Sequence, residues 1–228
     1  MKTPAALRKT APFRVARRLY TRVRFGDLDR FTPLSSWGWK RGTPVDRWYI
    51  ERFLTGHADL VHGSALEVKS DLYASRLGAR SVDVLDIDAD NALATVVGDV
   101  CDPDVLPQSA YDVAVITQTL QLVDDPVTAV RHLAAALRPG GALLVTVPTM
   151  SRLVDDSDRW RWTPRGLEHL LRAAAPPDAT VEVAGLGNGL TARAFLFGLS
   201  AEEVGEASMR HTDPHYPLVA GGVLRVPA

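Results

Sequence analysis

The sequence has one cysteine, Cys101, in 228 residues. A lone thiol excludes an intramolecular disulfide framework and any all-cysteine metal site, and it suits a reducing compartment. Lysine is scarce too, with four residues against 22 arginines. Beside the Ala/Asp/Val-rich texture, that bias reads as a GC-rich coding sequence more than a selected chemistry. Long apolar runs are missing: none reaches the roughly 18 residues that span a bilayer. The basic N-terminus lacks the uninterrupted apolar segment of a secretory signal, so a cytoplasmic location is expected. Net charge is almost absent, at −1, so the molecule as a whole is not drawn to nucleic acid or membrane. That average hides a split: residues 1–50 carry +9 and the remaining 178 carry −10.

What is present suffices for one well-buried core, with 46% hydrophobic residues. Residues 1–43 read as a basic arm or lid segment, rich in proline and positive charge. Within it a short helix over Phe13–Arg24 is expected, with Val15, Leu19, Tyr20 and Val23 on one face. From residue 44 onward, helix and strand patterns alternate, and residues 44–228 are expected to form the main domain. Pro44 opens a helix over Arg47–Ala58. Short strands are expected at Ala65–Val68, Ser81–Leu85 and Ala94–Val97. Tyr111–Ile116 and Ala142–Val147 are near-continuous apolar runs, the pattern of strands buried on both faces. Asp124/Asp125 and Pro126 start a helix with the stripe Val127, Val130, Leu133, Ala134 and Leu137, and Pro139-Gly140-Gly141 ends it. A helix after Thr163-Pro164, a strand at Thr180–Ala184, a helix at Leu190–Leu199 and a strand at Leu218–Val226 complete the chain. This alternation predicts an α/β fold, a doubly wound Rossmann-like sheet. Ligands of such sheets sit beyond the carboxyl ends of the strands.

The stretch YDVAVITQTLQLVDDPVTAVRHLAAALRPGGALLVTVP (111–148) resembles the fourth-to-fifth-strand unit of class I S-adenosylmethionine-dependent methyltransferases. ALEV (65–68), SVDV (81–84) and VVGDV (96–100) fall in the order of that family's first three strand ends. The segment RGTPVDRWYIERFL (41–54) resembles small bacterial methyltransferases of the type-11 kind linked to sugar and polysaccharide modification. The resemblance implies a seven-stranded, mostly parallel sheet with an antiparallel last strand and helices on both faces, with S-adenosylmethionine as cofactor. It places Glu67, with Val68 and Lys69, near the methionine end of the cofactor. It makes Asp83 the partner of the ribose diol, preferred to Asp86 among the acids crowding that loop. It sets Asp99 against the adenine amino group, Val100 against the ring, and Thr117 and Gln118 beside the amino-acid portion. Cys101 reads as a small apolar neighbour of the ring. One departure stands out: Lys69, Ser70 and Asp71 occupy the place of the family's Gly-x-Gly loop. Arg47 and Tyr49 are candidates to compensate, the arginine by gripping a carboxylate. The plainer role of Arg47 is an ion pair with Glu51 one turn on.

Methyl transfer to a hydroxyl needs an acceptor aligned with the sulfonium and a group to take its proton. Gln118, Gln121 and Leu122 stand where many relatives carry histidine, and none of them is a base. His215 and Asp158 are the remaining candidates, whereas His132 and His169 read as surface. Trp37, Trp39 and Trp48 before the core, and Trp160 and Trp162 after the fifth strand, suit a lid over a sugar ring or other planar acceptor, beside Arg41, Arg47, Arg159 and Arg161. The reading is thus O-methylation of a small hydroxylated acceptor, with a saccharide among the candidates. No metal, nucleic-acid partner or transmembrane segment is expected, and a homodimer is left open. A methyltransferase fold without transfer activity, or a surface-binding module acting through the basic arm, are the competing readings. A nicotinamide oxidoreductase is disfavoured because no G-x-G-x-x-G follows the first strand.

Overall fold

The computed structural model of the chain describes residues 11–26 and 31–228, so residues 1–10 and 27–30 of the basic arm lie outside the described residues. The chain divides into two compact units, Met1–Leu34 and Ser35–Ala228. In the first, the expected helix is present as α1, Ala11–Phe25. The second holds everything that follows.

Seven strands form its single sheet: β1 (Ser64–Val68), β2 (Ser81–Asp86), β3 (Val96–Val97), β4 (Tyr111–Thr117), β5 (Leu137–Pro148), β6 (Thr180–Leu186) and β7 (Val219–Arg225). Their order is β3-β2-β1-β4-β5-β7-β6. β7 runs antiparallel to both its neighbours, and the other pairings are parallel. Alternation along β4 shows how the sequence builds two layers. Ala114 and Ile116 enter one core with Leu133 of α4 (Pro126–Ala136) and Leu167 and Leu171 of α5 (Pro164–Ala174). Val113 and Val115 enter the other, with Ile50 and Phe53 of α2 (Val45–Gly56) and Phe195 of α6 (Gly189–Leu196). A strand with both sets of side chains buried has to be apolar throughout, which is what the sequence supplies.

Caps set the helix starts. Asp125 Oδ1 accepts from the N–H groups of Val127 and Thr128, with Pro126 in the first turn of α4. Thr163 Oγ1 accepts from the Gly166 N–H at the start of α5. The end of α4 differs from expectation. Leu137 leaves the helical stripe and pairs with Tyr111, so β5 begins at once and carries the Pro139-Gly140-Gly141 turn within it. Gly140 takes φ 77° there. Short helices α3 (Ala74–Leu77), α7 (Ala201–Val204) and α8 (Glu206–Arg210) had no sequence signal long enough to announce them.

Gly221 and Gly222 let both helical layers close on β7. A Cβ at Gly221 would lie 2.7 Å from the Phe53 ring, and one at Gly222 would lie 2.7 Å from Leu171 Cδ1. The chain reverses its winding between β1 and β4, so a crevice opens beyond their carboxyl ends.

Candidate functional site

A cavity of about 760 Å³ occupies that crevice, walled by the ends of β1 to β4, the start of α2 and the loop after β5. Each wall segment has its own local logic. At the end of β1, Val68 and Lys69 line the cavity. Lys69 has φ 71°, a left-handed conformation that glycine adopts without penalty. Its N–H donates to the Leu85 carbonyl, and its own carbonyl accepts from Asn91 Nδ2. The preceding Glu67 is 2% exposed and does not line the cavity. Its carboxylate accepts from the N–H groups of Tyr73 and Ala74, tying the turn that replaces the glycine loop to the start of α3. Burial pushes this carboxyl up to about 7 despite the opposing hydrogen bonds.

β2 runs one residue further than expected, and this moves the acid at its end. Asp86, not Asp83, reaches the cavity. Asp83 lies within the strand, where its carboxylate accepts from Thr95 Oγ1 at 2.9 Å and from the Tyr111 hydroxyl at 3.0 Å. It ties β2 to the approach to β3 and, across β1, to the start of β4. Asp86 Oδ1 accepts from the Asp88 N–H and Oδ2 from Asn91 Nδ2. Burial alone would raise the Asp86 pKa, but these hydrogen bonds and the Lys69 charge outweigh it and hold the group ionised below its ordinary range.

Beyond β3, Gly98, Asp99 and Val100 line the wall. A Cβ at Gly98 would come within 2.5 Å of Val105 Cγ2, so the turn accepts glycine alone. Asp99 Oδ1 accepts from the Cys101 N–H. The Cys101 thiol is pushed up by burial, which keeps it protonated and inert. His132 is not simply a surface residue: its Nδ1 lies 2.9 Å from the Val100 carbonyl and steadies this turn from behind.

At the end of β4, Thr117 and Gln118 line the floor. Gln118 has φ 50°, held by donation of its N–H to the Thr146 carbonyl. Its carbonyl accepts from Gln121 Nε2 at 2.7 Å. Three polar atoms of the cavity residues are buried without a partner among the described residues: Gln118 Nε2, Gln121 Oε1 and Asp46 Oδ1. Such atoms are costly unless a ligand or water meets them. Burial also raises the Asp46 pKa. Sequence reasoning missed Asp46: in this segment it singled out Arg47 and Tyr49 and passed over the acid beside them.

Arg47 lines the cavity and donates to the Tyr73 hydroxyl at 2.8 Å, with its guanidinium 5.8 Å from the Trp39 ring centroid. Glu51 contacts Arg76 instead, at 3.8 Å. Tyr49 does not reach the cavity; its hydroxyl is buried and donates to the Met209 carbonyl. The two candidate bases are elsewhere as well. Asp158 is buried and paired with Arg161, and it accepts from the Val154 N–H, so it shapes the loop after β5. Burial would raise its pKa, but these bonds win and lower it. His215 is exposed in a turn, its N–H bonded to Asp213 Oδ1, and does not line the cavity. The tryptophans divide: Trp37 and Trp39 line the cavity. Trp160 anchors its loop by donating Nε1–H to the Val123 carbonyl and stacks on Trp162. Arg159, at the rim, pairs with Asp124 at 2.6 Å.

Residues 71–174 match the model of a methyltransferase-domain family. The fold is the Rossmann-like methyltransferase fold. An S-adenosylmethionine-dependent methyltransferase from Mesorhizobium loti is 16% identical with a TM-score of 0.53, over 79% of this chain and 97% of that one. A Haloferax volcanii methyltransferase, solved with the Trm112 methyltransferase activator, is 17% identical with a TM-score of 0.55, over 80% and 92%. The cyclase SpnF, also 17% identical, has a TM-score of 0.53 over 95% and 94%. No curated protein matches the sequence. The methyltransferase fold therefore frames the cavity, and its strand order puts the cavity at the switch point.

Proposed function

We propose that the chain is an S-adenosylmethionine-dependent methyltransferase that O-methylates a small hydroxylated acceptor, with sugar-containing molecules as the favoured class. The observation that carries this reading is the donor set of the cavity. Asp86 and Asp99 stand at the ends of successive strands, and three buried polar atoms of the same lining, on Asp46, Gln118 and Gln121, have no partner among the described residues. This set fits the cofactor. The Asp86 carboxylate suits a vicinal diol, Asp99 suits an exocyclic amine, and Arg47 suits a carboxylate. Bound there, S-adenosylmethionine supplies an electrophilic methyl group for in-line attack by the acceptor oxygen. The protein's work is then alignment, exclusion of water and removal of one proton. Trp37 and Trp39 offer flat faces for an acceptor ring. Asp46 Oδ1 takes the acceptor's proton, since burial has raised its affinity for one.

Calorimetry with S-adenosylmethionine and its demethylated product tests the cofactor assignment. Asp86→Ala should weaken binding at least tenfold, about 1.4 kcal/mol. Unchanged affinity would remove Asp86 from the ribose site, and no binding by the unaltered chain at high micromolar ligand would sink the reading. Asp46→Asn should keep cofactor affinity while abolishing label transfer from radiolabelled S-adenosylmethionine to a pool of hydroxylated sugars. Parallel loss of affinity would move Asp46 to the cofactor side.

A second reading, a methyltransferase fold without transfer, is favoured by Lys69 and Asp71 in the glycine-loop positions and by the lack of histidine among the described cavity residues. Cofactor binding with no labelled product from any hydroxylated acceptor would select it.

A further inference from the structure

Helix α1 has a pattern that the reaction does not use. At 100° per residue, Val15, Leu19, Val23 and Tyr20 fall within an arc of about 140°, while Arg17 and Arg18 fall on the opposite side. The four apolar residues are 63–80% exposed. Residues 1–26 contain eight Lys/Arg and no Asp or Glu. A helix with one apolar face, one cationic face and no acid matches the type that lies in the headgroup region of an anionic bilayer. We propose that α1 docks the protein on an anionic phospholipid surface, with Val15, Leu19, Tyr20 and Val23 entering the acyl boundary and the arginines meeting lipid phosphates.

Charge and area favour this occupant over the others. A nucleic acid would engage the arginines and leave the apolar stripe wet, since backbone contacts are electrostatic. Pairing with α1 of a second copy would bring together two helices that are both strongly cationic. Even with the stripe of both copies fully covered, such a pair would only approach the roughly 1,000 Å² at which specific interfaces begin. A bilayer surface satisfies both faces at once.

Vesicle co-sedimentation of the full chain tests the proposal. Vesicles with about one-third phosphatidylglycerol should bind at least tenfold more protein than pure phosphatidylcholine vesicles, and high salt should release much of it. Leu19→Glu should cost at least tenfold in binding, and Arg17→Ala with Arg18→Ala should lose the preference for anionic vesicles. The melting curve should not move in either variant, because these side chains are exposed. Three results would overturn the proposal: equal binding to neutral vesicles, full vesicle binding by Leu19→Glu, or no vesicle binding by the unaltered chain. In that last case, a duplex DNA complex indifferent to Leu19→Glu would reassign α1 to nucleic acid. A dimer in sedimentation equilibrium abolished by Leu19→Glu would reassign it to self-association.

Discussion

Glu67 shows how a single residue can couple the turn after β1 to pH. Its carboxyl ionises near 4.5 in a solvated chain and near 7 in the fold, because it is buried. Between those values the folded protein keeps a proton that the unfolded chain has released. Stability from this group is therefore full below about pH 4.5, declines as pH rises to about 7, and stays lower above. A shift of this size corresponds to about 3 kcal/mol. Gln at this position can still accept from the Tyr73 and Ala74 N–H groups but cannot ionise. The urea midpoint of Glu67→Gln minus that of the parent should thus grow between about pH 5 and pH 7. A constant difference would show that Glu67 titrates normally. Positions in the cavity wall were legible where the motif itself fixes the backbone, as for Gly98-Asp99. They were not legible where a role depended on strand length, as for Asp83 and Asp86, or on a long-range partner, as for Tyr49.

At the scale of elements, apolar runs and caps carried most of the information. Tyr111–Ile116 had to be a strand buried on both faces, and Asp125-Pro126 had to start a helix. Boundaries were less legible, because pairing with a neighbour overrides local preference: Leu137 continues a helical stripe but is claimed by Tyr111 across the sheet. Glycine pairs within a strand have a tertiary meaning that sequence alone leaves open. Gly221 faces Phe53 of α2, and a methyl there would meet the ring at 2.7 Å. The ring is buried and cannot swing clear. Gly221→Ala should cost about 2 kcal/mol, despite the usual gain from replacing glycine in a strand. Thermal melting should fall by several degrees. Gly140→Ala is the contrast, since nothing lies within 4 Å and only its φ of 77° resists the change; the expected cost is about 1 kcal/mol. Equal midpoints for Gly221→Ala and the parent would mean that α2 can lift from β7 freely.

At the scale of the whole molecule, the hidden charge split meets the division into two units. Residues 1–34 carry +7, which leaves −8 on residues 35–228. Both hydrophobic clusters draw on residues 37–226, and the cavity is lined by residues between Trp37 and Arg159. The sheet, its caps and the polar lining of the cavity are thus encoded after residue 34. A chain starting at Ser35 should melt cooperatively within a few degrees of the parent and bind S-adenosylmethionine with unchanged affinity by calorimetry. Its surface should behave oppositely: without the cationic arm, the acidic remainder should be excluded from phosphatidylglycerol vesicles that retain the full chain. Loss of cooperative melting would show that residues 1–34 complete the core. Retained melting with lost cofactor affinity would place part of the binding site in the arm, and the charge split would then belong to catalysis instead of docking.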